Sequence, residues 1–303
     1  MTQPLRRIVV GSSLAPQSDG VLSSALAFAR LVGAQVEVVH AYVPPMPYIG
    51  DPFPVAWASD ELLADHEAAL ERALAAQAER VHARPGEIGG FRLTPAPPAL
   101  ALEEAAKKYD AGLIVVGPAE SGSRIARRLL GSTSDRLLRH SGRPILLARS
   151  PFLEVPRQVL LPVDFSRPSM DALAWGGELL RAFGEPNWPA VEALFVLSPF
   201  PDQTELQFTS TQVERLALDE LDRALGKLKS AGAMGATGAI GRRIRIGRPS
   251  EEILAEIHDR AVDLVILGTH GRSGLERFML GSVASDITRD ARCSVIIVPP
   301  AAG

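Results

Sequence analysis

Apolar residues along this chain fall into two patterns. Short continuous runs, such as Ile8-Val9-Val10, Leu113-Ile114-Val115-Val116, Val159-Leu160-Leu161 and Leu264-Val265-Ile266-Leu267, mark strands buried on both faces of a parallel sheet. Between them, stretches such as Glu61–Arg84 and Gln212–Ser230 repeat apolar residues every three or four positions and carry charge elsewhere, the pattern of amphipathic helices. Strands are predicted near 7–12, 35–41, 90–94, 112–117 and 144–149, and again near 158–163, 190–197, 242–246, 263–268 and 294–299. Helices are predicted near 18–31 and 169–183 as well, and Thr209 with Gln212 forms a capping-box pattern before the helix at 212–230. Strands alternating with helices predict an α/β fold of doubly wound parallel sheets.

The pattern occurs twice. Leu113–Gly117 matches Leu264–Gly268 at an offset of 151 residues, and Gly131-Ser132 and Pro144–Leu147 match Gly281-Ser282 and Ser294–Ile297 at 150. Shared order and spacing indicate duplication rather than a coincidence of apolar strands. The expected domains are 1–150 and 151–303, each five-stranded, with a linker near Ser150–Arg157 marked by Pro151 and Pro156. The Pro-rich stretch Val43–Val55 and the segment Ser198–Phe208 are long loops at equivalent places.

Composition narrows the functional classes. The 303 residues are 46% hydrophobic and 22% charged with a formal net charge of −3, which fits an ordinary globular protein. Basic clusters such as Arg124/Arg127/Arg128 and Arg242/Arg243/Arg245 are short and offset by acidic helices, so no nucleic-acid partner is expected. No apolar run approaches the roughly 20 residues that span a bilayer, and the N-terminal apolar strand is too short for a signal-peptide core. A soluble cytoplasmic protein with no membrane partner is the expectation. The single cysteine, Cys293, excludes an internal disulfide and is expected to be buried and inert.

Chemistry concentrates after the fourth strand of the second repeat. Gly268-Thr269-His270-Gly271-Arg272-Ser273-Gly274 is followed by Leu275–Leu280 and then Gly281-Ser282, a Gly-x2-Gly-x9-Gly-Ser spacing. Glycines let main-chain N–H groups approach an oxyanion, and the helix starting at Ser282 adds its positive dipole end. Such a loop at the carboxyl end of a central strand points to a phosphate-bearing ligand; a glycine-rich turn with no ligand is the alternative.

With Pro162-Val163-Asp164-Phe165-Ser166 after the first strand of that repeat and Gly247-Arg248-Pro249 before a helix, the loop resembles the ATP-binding signature of the universal stress protein family. The resemblance covers nearly the whole chain as two tandem domains of the adenine nucleotide α-hydrolase-like, Rossmann-like class. It implies ATP as ligand, with Asp164 on the adenine side, Val196 lining the base pocket, and Gly268, Gly271, Gly281 and Ser282 holding the phosphates. Pro162, Val163, Gly274 and Val283 complete the nucleotide-binding set; Arg272 is a candidate phosphate partner, and His270 a loop-packing residue or weak contact. Asp164 also has an ordinary reading as a turn residue at the strand-to-helix corner. The resemblance further implies that the last strand of each repeat, 144–149 and 294–299, pairs with the other, an intrachain pseudo-dimer, and leaves a homodimer of whole chains as an additional expectation.

The first repeat departs from this pattern. Ser13 stands where Asp164 does, Ala96 replaces Gly247, and the loop reads Gly117-Pro118-Ala119-Glu120 with one extra residue before Gly131. Pro118 removes an amide donor, and Glu120 brings a carboxylate where phosphate would lie, at about 4 kcal/mol per like-charge pair at 4 Å. One ATP per chain is therefore expected, in the second domain. No nucleophile elbow, Walker lysine or metal-ligand spacing occurs, so no catalytic residue and no protein-bound metal are assigned, and Mg2+ would accompany ATP through its own phosphates. The expected function is that of an ATP-binding stress-response regulator. A structural or interaction protein without nucleotide, and a slow ATPase, are the rival readings.

Overall fold

The computed structural model describes residues 5–44, 60–118, 131–149, 155–184, 187–198, 210–230, 240–271 and 280–300. In the first repeat the order is β1 (Arg7–Gly11), α1 (Gln17–Val32), β2 (Gln35–Ala41), α2 (Asp60–Arg80), β3 (Ile88–Thr94), α3 (Pro98–Lys108), β4 (Leu113–Val116), α4 (Ser132–His140) and β5 (Ile145–Leu147). In the second it is β6 (Gln158–Val163), α5 (Arg167–Phe183), β7 (Ala190–Leu197), α6 (Ser210–Ser230), β8 (Ile240–Ile246), α7 (Pro249–Asp259), β9 (Leu264–Gly268), α8 (Ser282–Asp290) and β10 (Ser294–Val298).

All ten strands form one sheet in the order β3-β2-β1-β4-β5-β10-β9-β6-β7-β8. Neighbours are parallel within each repeat, and the two halves meet where β5 and β10 pair antiparallel. At that seam Ile145, Leu146 and Leu147 face Ile297, Ile296 and Val295, all at most 2% exposed. Each such side chain contributes roughly 1.5–3 kcal/mol when withdrawn from water, so the strand that would be an edge of either repeat becomes the middle of the molecule.

Strand side chains alternate between two apolar layers, which explains the uninterrupted Val/Ile/Leu runs. Ile8 and Val10 pack with α1, α2, α5 and α6 on one face, whereas Val9 joins α3, α4, α7 and α8 on the other. On the first face Phe28 of α1 meets Phe183 of α5 edge-on, with ring centroids 5.8 Å apart, across the boundary between repeats.

The duplication extends to backbone strain. Leu14 and Phe165, each following its repeat's first strand, have φ of 62° and 63°, and Asp110 and Ala261, each after an equivalent helix, both have 49°. Left-handed values are costly for residues with a Cβ. Their recurrence at matching positions means that both repeats impose the same corner.

Boundaries differ from expectation at a few places. β3 begins at Ile88 rather than 90, because the pairing of β2 and β3 shifts between Val36 and Glu37 and absorbs Gly89, an irregularity that masks the strand pattern. α2 stops at Arg80, short of 84, where His82 turns left-handed at φ 55°. β5 spans three residues rather than six. α6 begins at Ser210; Thr209, and hence the capping box, lies outside the described residues, as do most of the two long loops.

Candidate functional site

Those residues singled out in the second repeat that are described gather near the carboxyl ends of β6, β7 and β9, three adjacent strands. Connections leave β6 towards β7 on one side, while β9 lies on the other, so this is the crevice at a topological switch point. Pro162 and Val163 end β6; Asp164 and Val196 each stand one residue beyond the last registered pair of β6 and β7, Val163 with Phe195. Val196 is 9% exposed and packs in the layer that includes α7.

Asp164 divides its work. Its Oδ1 accepts the Ser166 N–H at 2.9 Å, closing the turn that the αL residue Phe165 requires. Ser166 then caps α5, its hydroxyl accepting the Ser169 N–H at 3.3 Å. The other oxygen points across the crevice: a Cβ on Gly271 would lie 2.6 Å from Asp164 Oδ2. One carboxylate oxygen thus closes the turn while the other faces Gly271, where an added Cβ would collide with it.

The other glycines serve different ends. A Cβ on Gly268 would meet the Pro168 carbonyl oxygen at 2.7 Å and the Ser169 nitrogen at 3.2 Å, so Gly268 is demanded by the approach of α5's first turn to β9. Gly281 lies close against the loop, where a Cβ would be 3.2 Å from Thr269 O and 3.4 Å from His270 Cα. Its own N–H donates to Thr269 O at 2.8 Å and is spent there. The first amides of α8, those of Ser282, Val283 and Ala284, have no acceptor within a helix beginning at Ser282, and Gly281 offers no capping side chain. No acidic residue sits in that first turn.

His270 Nδ1 lies 2.9 Å from Thr269 Oγ1, and its Nε2 is buried without a hydrogen-bond partner among the described residues. Burial pulls the imidazole below its ordinary pKa, which keeps it neutral near pH 7. Arg272 and Gly274 lie outside the described residues. Gly247, with φ 155°, donates to Leu197 O at 3.0 Å, and a Cβ there would press on Glu252 at 2.6–3.0 Å.

The same corner in the first repeat is closed by its own polar groups. Ser13 Oγ is 2.6 Å from Ser18 Oγ and accepts the Ala15 N–H at 3.3 Å, an uncharged version of the Asp164 turn. Beside it Ser12 donates to Gln77 Oε1, Gln77 donates to Asp19, and Arg80 grips the same carboxylate at 2.9 and 3.0 Å. His40 Nδ1 donates to Ser12 O at 2.8 Å. At the start of α4, Asp135 places a carboxylate in the first turn, where it opposes an anion, and Ser134 Oγ is bonded to Gly117 O. Glu120, the carboxylate named from sequence, lies outside the described residues.

Sequence reasoning missed Thr269, whose carbonyl holds Gly281, and Asp135, whose counterpart 150 residues on is Ser285. The second contrast was readable by carrying the repeat alignment into the helices. Cys293 is 6% exposed and its thiol is pushed up to about 12, so it is inert at neutral pH. Among the described residues there is no group of three His, Cys, Asp or Glu that could hold a metal, and no helix long and apolar enough to cross a membrane.

Comparison with known proteins agrees with this geometry at the level of family and fold. The model of the universal stress protein family matches residues 4–149 and again 156–299. Universal stress protein Rv2005c of Mycobacterium tuberculosis is 27% identical over 322 aligned positions that cover 98% of this chain and 99% of that protein. The crystal structure of a universal stress protein from Archaeoglobus fulgidus superposes over 98% of this chain and all of that one, with a TM-score of 0.67 at 17% identity. A universal stress protein solved in complex with cAMP matches 48% of this chain, at 21% identity and a TM-score of 0.35. Two matches of one family model, laid end to end over a duplicated sheet, establish that the chain belongs to the universal stress protein family as a tandem of two family units.

Proposed function

We propose that residues 151–303 form a domain that binds ATP and that the chain acts as a cytoplasmic, nucleotide-responsive regulator of a stress response, with residues 1–150 as a degenerate partner domain. The observation that carries this reading is the start of α8, which has no capping side chain and no acidic residue in its first turn and lies beside the crevice at the ends of β6, β7 and β9. A base near Asp164 and Val196 would leave its phosphates directed at Ser282 and Val283, with His270 Nε2 as a nearby polar contact. The helix dipole favours the negative charge.

ATP supplies a polyanion whose binding energy can differ between two conformations or assemblies, and that difference is all a regulator requires. Mg2+ would enter with ATP, held by the phosphates themselves.

Native mass spectrometry and calorimetric titration of the full chain with ATP test the proposal. One ATP per chain is expected, with much weaker binding of AMP, which has a single phosphate. Gly281→Leu, which forces a side chain against Thr269 O and His270, is expected to abolish binding, whereas Gly131→Leu is not. The reverse dependence, or no nucleotide uptake by the wild type, sinks the proposal.

A further inference from the structure

The two repeats are not equivalent where they meet. The first ends in Arg149, just past β5, and this side chain crosses into the second repeat. Its Nη2 donates to the carbonyl oxygen of Thr288 and, at 3.1 Å, to that of Arg289, both in the last turn of α8. Its main-chain N–H reaches Ser294 Oγ at 3.3 Å, at the start of β10. The guanidinium is largely withdrawn from water, and its Nε has no partner among the described residues. At the repeat-related position stands Pro299, which has no donor to return the contact to α4.

Helix α8 has nine residues and is thus about 13 Å long. Its C-terminal carbonyls carry partial negative charge and lack intrahelical donors. Arg149 satisfies two of them with a full positive charge. The opposite end of this same helix presents the amides of Ser282, Val283 and Ala284. In a helix of two and a half turns, the last turn is a large fraction of the whole, so loosening it loosens the alignment of the first.

We infer that Arg149 is a positioning residue for the anion site of the second repeat: anchored on the first repeat's last strand, it holds the C-terminal turn of α8 and so aligns the amides at the helix start. The functional part of this inference rests on the proposed nucleotide site; the positioning part does not. It also gives the first repeat a role beyond pairing edges, since a residue of the copy with the closed corner completes the helix that serves the open one.

The test uses the full chain as wild type, Arg149→Met, Arg149→Gln and Arg149→Lys, with Arg149→Gln decisive if the methionine variant does not fold. The backbone amide resonances of residues 282–284 are recorded without ligand, and ATP affinity is then measured by calorimetry. Loss of the charge is expected to displace those resonances and to weaken ATP binding about three- to thirtyfold, the usual span for coupling through a packed element. Arg149→Lys is expected to restore most of both. If only residues 288–290 respond, the contact is a local cap and the inference is overturned, as it is if lysine restores neither reading. Should the wild type bind no ATP, the nucleotide reading falls, while the resonances still decide whether Arg149 positions the helix.

Discussion

Gly268 and Gly271 belong to one glycine-rich signature, yet the structure assigns them different physical work, and alanine at each position separates the two. In Gly268→Ala the new methyl meets backbone: Pro168 O at 2.7 Å, Pro168 C at 2.9 Å and Ser169 N at 3.2 Å. These atoms belong to the first turn of α5, tied down by the Ser166 cap and a proline ring, so they cannot rotate away. β9 and α5 must separate by a few tenths of an ångström, an overpacking cost of about 1–3 kcal/mol. In Gly271→Ala the methyl meets a single carboxylate oxygen, Asp164 Oδ2, at 2.6 Å. That carboxylate can turn at the expense of its bond to the Ser166 N–H, which limits the stability loss to about 0.5–1.5 kcal/mol. Urea unfolding followed by tryptophan fluorescence suits the comparison, because Trp175 and Trp188 place two of the three tryptophans in the second repeat. Gly268→Ala is expected to lower the midpoint by roughly 1 M with ATP affinity of the folded protein nearly intact. Gly271→Ala should lose most of its ATP affinity with a smaller change in midpoint. If Gly271→Ala is the less stable of the two, or Gly268→Ala matches wild type, the division of labour drawn from the Cβ positions is wrong.

Two further outcomes probe other parts of the molecule. Burial lowers the folded-state pKa of His270 below its ordinary 6.5, so the unfolded chain binds the proton more readily. This term is constant above about pH 6.5 and destabilises as pH falls below it. His270→Gln should therefore lose less stability than wild type between about pH 7.5 and 5.5 in thermal melts, and identical losses would refute the assignment. Glu256 is fully buried in α7, with Arg245 Nε at 2.5 Å and Arg243 Nε at 2.9 Å. Glu256→Ala removes the buried carboxylate shared by Arg243, Arg245 and Arg260, which keep Glu192, Glu252 and Asp259 as partners, so a loss of about 1–3 kcal/mol is expected in urea; an unchanged midpoint would show that the buried carboxylate contributes nothing.

Much of this architecture was legible because burial on both faces of a sheet leaves a signature in neighbouring residues. Continuous runs at 8–10, 113–116, 159–161 and 264–267 located strands, and their common offset exposed the duplication before any fold was considered. β3 and β8 both begin two residues before their expected starts, β3 where a glycine pair and a register shift interrupt the pattern, and β5 is three residues where six were expected. At the candidate site, spacing singled out the glycines, a feature local along the chain, whereas Asp164 was singled out through the family resemblance.

What each group does was decided elsewhere. Asp164 Oδ2 faces Gly271 over a separation of more than one hundred positions, Gly268 yields to α5, and the N–H of Gly281 is claimed by Thr269. Ser12, Gln77 and Asp19 close the first corner from three separate elements, and Arg149 reaches α8 across the seam. The sequence by itself determined two α/β units and a glycine-rich loop in one of them, because periodicity and backbone freedom are properties of neighbouring residues. Tertiary structure alone decided which atoms meet, because those distances follow from how a ten-stranded sheet brings distant segments together.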